Sequence, residues 1–138
     1  MPEVESSPAE IRELSHEECL RHLTVQRVGR VAVVTTAGQP LVFPVNYVFD
    51  EGVVVFKTAP GTKLTFATQA IVAFEIDGWD EASSSGWSVL VQGVAHDVSA
   101  SHDFRSERLR RLEVRPMAPG ARDRWVGIWA NEITGRYF

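Results

Sequence analysis

With 138 residues the chain has the size of one domain, and it can bury roughly two-thirds of its unfolded surface without staples. A net charge of −4 argues against general nucleic-acid binding, which wants a broad basic surface. The one cysteine, Cys19, precludes an internal disulfide and suits a reducing cytosol, and no apolar run nears the roughly 20 residues that cross a bilayer.

Residues 1–9 are acidic and Pro/Ser-rich and lack the basic and apolar regions of a signal peptide; they read as a mobile tail before one domain over 10–138. Ser15-His-Glu-Glu18 is a capping box, because the Ser15 hydroxyl and Glu18 carboxylate can satisfy free N–H groups at a helix start. It predicts a helix to about Thr24 that buries Cys19, Leu20 and Leu23. Residues 29–36 (GRVAVVTT) are rich in β-branched side chains and read as a strand, followed by a turn at Ala37-Gly38-Gln39.

Residues 40–49 alternate with period two: Leu41, Phe43, Val45, Tyr47 and Phe49 face one way, and Val42, Pro44, Asn46 and Val48 the other. Asp50-Glu51-Gly52 is a hairpin loop, and Val53–Thr58 the return strand. One or two helical turns are expected over 64–69 and a strand over 71–77. The polar, Ser-rich 78–85 (GWDEASSS) reads as a mobile loop. A long strand over 87–99 carries Gly93 as a bulge or close approach. A helix over 101–112, an irregular stretch over 115–123 and a last strand over 125–131 complete the pattern, and 132–138 finishes the chain. About six strands at hairpin spacing, two or three short helices and no regular βαβ alternation predict a mainly β fold: a small antiparallel barrel with peripheral helices.

Function is most legible in PVNYVFDEGVVVFKTAPGTKL, residues 44–64. Its second lysine, Lys63, is one of only two beside twelve arginines. In Thr58-Ala-Pro-Gly-Thr-Lys63, Gly61 lets the backbone approach an anion closely and helix-start N–H groups accept it. Lys63 supplies charge, and Thr58 and Thr62 supply hydroxyl donors. The first glycine of a Walker A loop is missing, and the threonine precedes the lysine. Read alone, the segment is slightly better described as an ordinary turn with a solvated lysine.

Pro44 removes a ladder donor, so its strand is an edge or is bulged there. Backbone groups of Val45, Asn46 and Tyr47 can then meet a flat heterocycle, although a plain edge strand with Tyr47 in the core explains the pattern too. Trp87 can stack on a ligand, plug a dimer seam or fill the core, and Trp129 reads as core. Arg105, Arg108, Arg110, Arg111 and Arg115 interleave with Glu107 and Glu113, as on a solvated helix face. The scattered histidines have no metal-ligand spacing, so no metal is expected, and no spacing supports hydrolytic chemistry.

Taken together, four collinear segments, 27–64, 72–77 (VAFEID), 86–98 (GWSVLVQGVAHDV) and 122–138 (RDRWVGIWANEITGRYF), resemble short bacterial members of the pyridoxamine 5′-phosphate oxidase-like split-barrel family. Their order and spacing tip TAPGTKL towards a phosphate site. The resemblance implies a six-stranded antiparallel split β-barrel that works as a cytoplasmic homodimer, with cofactor sites at the interface. It implies FMN, with Val45, Asn46 and Tyr47 along the ring and Thr58, Gly61, Thr62 and Lys63 at the phosphate. Trp87 and Ser88 would come from the other subunit, and Trp125 and Arg136 would close the pocket.

The function so implied is that of an FMN-dependent oxidoreductase acting on a small molecule, with no nucleic acid or membrane as partner and the catalytic residues unassigned. Alternatives on the same fold are an F420-dependent reductase and a non-catalytic flavin or haem carrier or sensor. F420 would need a basic exit groove from the 105–115 run or from Arg122 and Arg124, and haem a ligand such as His96 or His102. The chain is much shorter than the oxidase proper and has Gly61-Thr62-Lys63 where that enzyme has Ser-Arg-Lys. The oxidase's substrate-gripping segment has no match, so oxidation of vitamin B6 is not implied.

Overall fold

The computed structural model describes residues 11–61, 70–116 and 124–138. The tail over 1–9 and the helical turns over 64–69 lie outside the described residues. A short strand β1 (Arg12–Glu13) leads into helix α1 (His16–Val25), and strands β2 (Val28–Val34), β3 (Pro40–Asp50) and β4 (Val53–Thr58) follow. Then come β5 (Ala70–Asp80), β6 (Ser85–Asp97), a short helix α2 (Phe104–Leu109) and β7 (Arg124–Tyr137).

All pairings are antiparallel, and β2–β3–β4–β7–β6–β5 closes where β5 returns to β2. This is the six-stranded antiparallel barrel expected, with helices outside it. Alternate residues point inward. Phe43, Val45 and Tyr47 from β3 meet Val54 and Phe56 from β4, Phe74 and Ile76 from β5, Val89 and Val91 from β6, and Val126 and Ile128 from β7. Each fully buried aliphatic or aromatic side chain contributes about 1.5–3 kcal/mol relative to leaving it in water.

Strand β4 reads VVVF without alternation because it is covered twice. Val54 and Phe56 face the barrel interior, while Val53 and Val55 belong to a second apolar cluster with Val98, Leu109 and Val114. The β3–β4 hairpin turns at Glu51 and Gly52, both with positive φ (43° and 84°), the geometry that matches the twist of a two-residue hairpin. Helix α2 grips that tip. Arg105 donates to the Asp50 carbonyl at 2.6 Å and to Glu51 Oε2 at 3.0 Å, and Arg108 donates to Asp50 Oδ1 at 3.3 Å.

Helix α1 has the capping box read from sequence: Ser15 Oγ accepts from the Glu18 N–H, and the Glu18 carboxylate accepts from the Ser15 N–H. Cys19 and Leu23 are buried, and Leu20 packs at the core's edge. At the other end of α1 the Tyr47 hydroxyl donates to the Leu23 carbonyl at 2.7 Å, one of the acceptors a helix C-terminus leaves without an intrahelical partner. The Tyr47 N–H donates to the Arg27 carbonyl, so one residue ties β3 to the helix exit twice. Burial pushes the Tyr47 phenol well above its ordinary range, which keeps the proton this bond needs.

The structure corrects several boundaries. Gly78, Trp79 and Asp80 belong to β5 and Ser85 to β6, leaving only 81–84 as the turn. Polar composition there reflects an exposed ladder, in which Gly78 pairs with Trp87 and Trp79 with Gly86. Residues 132–137 continue β7, paired with β6 throughout and with β1 at Arg136 and Tyr137. Helix α2 starts later than expected because Asp103 is its N-cap, accepting from the Ser106 N–H, and it ends at Leu109. Gly93 does mark a bulge, but the extra residue is Asn131 on β7, since Gln92 pairs with Glu132 and Gly93 with Ala130. A Cβ on Gly93 would run into the Trp129 carbonyl.

Tyr47→Phe keeps the ring but strands the Leu23 carbonyl in a buried position. Urea denaturation is expected to show a loss of about 1–3 kcal/mol, with an unchanged m-value.

Candidate functional site

Asn46, Lys57 and Trp125 sit at outward positions on three adjacent strands, and they frame a hollow of about 820 Å³. Lys57 and Trp125 are partners in the β4–β7 ladder, and the Lys57 ammonium lies 5.1 Å from the centroid of the Trp125 ring. That is cation–π geometry, which holds a flexible lysine in place. Arg27, just ahead of β2, lines one side. The segment after α2 supplies the other with Leu112, Glu113 and Arg115. Val114 anchors this segment in the second apolar cluster, and Asn46 Nδ2 donates to the Pro116 carbonyl at 3.4 Å.

The edge character read from Pro44 has a structural counterpart. Residues 40–46 of β3 pair with β2, whereas pairing with β4 covers only Tyr47 to Asp50. Val45 and Tyr47 are each 4% exposed, so their side chains are core and only their backbone can meet a ligand. Thr58 ends β4, one residue beyond Lys57, and Gly61 has φ 146°, in the region that favours glycine. Thr62 and Lys63 lie outside the described residues.

Ser88 and Arg136 are elsewhere. They pair across β6 and β7 and line a second hollow of about 620 Å³ with Glu13, Glu75 and Thr134. Burial pushes the Glu75 carboxyl above its ordinary range, Asp77 adds to this, and the Arg30 guanidinium that bonds both opposes it. The two hollows share no lining residue and use opposite ends of β7, Trp125 in one and Arg136 in the other.

Trp87 lines neither hollow. Its indole stacks on the His22 imidazole, with ring centroids 3.7 Å apart and planes 16° from parallel, fastening the last turn of α1 to β6. Burial holds the His22 pKa below its ordinary value, and nearby Arg21 lowers it further against an opposing pull from Glu18.

Of the cations that line the hollow, Arg27 and Lys57 were not read as site residues, and Arg115 was read only as part of a solvated face or of a basic exit groove over 105–115. Strand parity places Lys57 on the outward face with Val53 and Val55, but that face also reads as plain core. Arg115 belonged to a run read as a solvated helix face, and the structure breaks that run up. Arg105 and Arg108 hold the hairpin tip, Arg110 donates to the Val98 and Ser101 carbonyls, and Arg115 faces the hollow.

A closed six-stranded antiparallel barrel defines the chain as a split-barrel protein, and the aromatic and cationic hollow on its outer wall is its candidate site. Residues 15–137 match the family model described as pyridoxamine 5′-phosphate oxidase, and the chain belongs to that family. An uncharacterized protein of Mycobacterium tuberculosis is 34% identical over 135 residues, 94% of this chain and 86% of that one. The solved structure of an FAD-binding protein from Mycobacterium smegmatis superimposes with a TM-score of 0.74 at 34% identity, covering 91% of this chain and 96% of that chain. That of an FAD-binding protein from Mesorhizobium loti gives 0.75 at 26% identity, covering 93% and 98%. Among the described residues no helix is long and apolar enough to cross a membrane.

A depressed histidine pKa means that the folded state prefers neutral imidazole. The stacked pair therefore contributes fully above the ordinary value of 6.5, and its contribution is lost as pH falls through the lower folded value. NMR titration is expected to place the His22 midpoint below 6.5, and stability between pH 6.5 and 5 to fall less in His22→Phe than in wild type.

Proposed function

We propose that this chain binds a flavin nucleotide in the hollow framed by Asn46, Lys57 and Trp125 and takes part in redox chemistry on a small molecule. The observation that carries the reading is the hollow's position, one residue before the turn that begins at Thr58. The residues fit a flavin. The Asn46 amide and β3 backbone present donors and acceptors suited to a ring edge, Trp125 is an aromatic wall, and cations suit a phosphate. Thr58, Gly61, Thr62 and Lys63 would hold that phosphate.

A bound flavin supplies hydride or single-electron transfer. The protein's part is to hold the ring, neutralise the phosphate and keep water from the hollow. The FAD-binding relatives favour a flavin over F420. His96, a ligand considered for haem, lies edge-on to Trp129 and does not line this hollow.

A homodimer belongs to the same reading. Ser88, expected from the other subunit, and Arg136, expected to close the pocket, both line the second hollow of their own chain, so in this reading they would have to come to the flavin of this site from a second copy. The assigned compartment is the cytosol: Cys19 is buried and unpaired, and burial raises its pKa, keeping it a thiol.

Protein purified without added cofactor is expected to be yellow, or to become so on titration with FMN or FAD. A colourless protein that binds neither would sink the flavin reading. Lys63→Ala is expected to weaken FMN roughly 10- to 100-fold, the equivalent of about 1.5–3 kcal/mol for one charge-assisted contact, and to leave riboflavin nearly unchanged. Equal losses for both ligands would place Lys63 away from the phosphate.

A further inference from the structure

We infer that the Trp79–Phe138 ring pair of one chain walls the flavin hollow of a second copy, carried there when the exposed outer faces of β2 and β5 pack on those of the second copy. The inference rests on the flavin and homodimer reading above, and it adds the packing face and two residues of the site.

Val42 on β3, Val34 on β2 and Ile71 on β5 point outward and are 61%, 64% and 75% exposed. Ala32, with its ladder partners Val42 and Ala73, joins them into one patch. Single apolar side chains are ordinary on a surface, but a contiguous patch marks a contact site. This patch lies between the two hollows. On its β3 flank Val28 and Asn46 line the first hollow, and on its β6 flank Glu75, Ser88 and Leu90 line the second.

Charge selects the occupant. On the β5 side one guanidinium, Arg30, serves two carboxylates, Glu75 and Asp77, while Glu13 and Arg136 of the second hollow balance each other. The first hollow is lined by Arg27, Lys57 and Arg115 against Glu113 alone. One flank is therefore acidic and the other basic, which suits a second copy turned about a two-fold axis. Packed sheets keep their strands nearly aligned, so the axis runs along the strands between β2 and β5 and exchanges the flanks. Arg30 is level with Glu75, which puts Val28 and Asn46 level with Asp77 and Ser88. The row Asp77–Ser88–Arg136 of one copy then lies over Val28 and Asn46 of the other. Barrel walls are convex, so this contact leaves a cleft on each flank, with a first hollow on one side and Ser88 and Arg136 of the second copy on the other.

Trp79 is one row further along the same outward side. It pairs with Gly86, and Gly86 exchanges backbone hydrogen bonds with Phe138. The two rings stack across this glycine, with centroids 6.4 Å apart and planes 27° from parallel. A Cβ on Gly86 would lie 2.8 Å from Trp79 Cε3 and 3.0 Å from Phe138 Cε2, so the stack requires glycine there. Trp79 is 57% exposed, a large apolar ring left open to solvent. The pair sits roughly 7 Å along the strands from Ser88 and Arg136, two residues of rise. The exchange of flanks brings it beside Arg27, at the rim of the first hollow. There an indole gains by stacking on a flat heterocycle.

The test combines light scattering with fluorescence titration of wild type, Ile71→Asp and Trp79→Leu by FMN and by riboflavin. Both positions are exposed, so both variants are expected to melt with wild type. Wild type is expected to be a dimer, and Ile71→Asp a monomer with weakened flavin binding. Trp79→Leu is expected to stay dimeric and to bind FMN and riboflavin each roughly tenfold more weakly. Its bound flavin is expected to be brighter, because a stacked indole quenches flavin emission. Dimers mixed from Trp79→Leu and Lys57→Glu chains are expected to regain one wild-type site, since one hollow then meets an intact ring pair. Trp79→Leu with wild-type affinity and emission would overturn the ring pair and leave the flavin reading standing. Mixed dimers without a restored site, or wild type that binds flavin as a monomer, would overturn delivery by a second copy. An Ile71→Asp dimer with full affinity would overturn the packing face. Wild type that binds no flavin would overturn the flavin reading, and this inference with it.

Discussion

Strand β4 is buried on both faces, and much of the molecule follows from that. A barrel strand needs only one apolar face, the inner one; Val53 and Val55 make the outer face apolar as well. That face must be covered, and the cover is assembled from α2, the chain after it, and the outward tryptophans of β7. The hollow lies at the rim of this cover, where apolar packing ends and Lys57, the next outward residue of β4, emerges. A strand with a polar outer face would need no cover, and it would have no hollow beside it.

The same logic explains how charge is distributed. Arg105 and Arg108 bind the hairpin tip, so α2 is located by ion pairs at one end and by Leu109 in the apolar cluster at the other. These ion pairs are partly exposed, and such pairs add little to stability. What they supply is registration of the cover against the hairpin, and with it the position of Arg115 relative to Asn46. The double attachment of Tyr47 does the same on the opposite side, fixing Arg27 through its backbone carbonyl.

Much of the fold was legible in the sequence because period-two alternation and turn chemistry are local. Residues 40–49, the Glu51-Gly52 turn and the Ser15 capping box are each set by neighbours within a few positions. Illegible were features decided by distant partners. Polar 132–137 is a strand because β6 pairs along it, with β1 at its last two residues, and 78–80 because β6 runs back along it. The site divides the same way. Asn46, suggested by the local Pro44 signal, and Trp125, given by the family resemblance, do share a hollow, while Ser88 and Arg136 meet in another. Arg27 and Arg115 reach the hollow only through the path of the chain in three dimensions, which no spacing encodes. Trp87 was read as a possible ligand contact, but in this chain its face is taken by His22.

Barrel closure depends on β7, the last strand in chain order, which joins β4 to β6. A nascent chain therefore carries β4 and β6 with open edges until β7 has left the ribosome. Unpaired edges flanked by apolar strands are templates for pairing with other chains, and long-range closure is slow. Until β7 docks, two strand edges of the barrel are thus open to pairing with other chains. Sequence changes in residues 124–137 would bear on yield and on chaperone demand during synthesis, even where the finished barrel tolerates them.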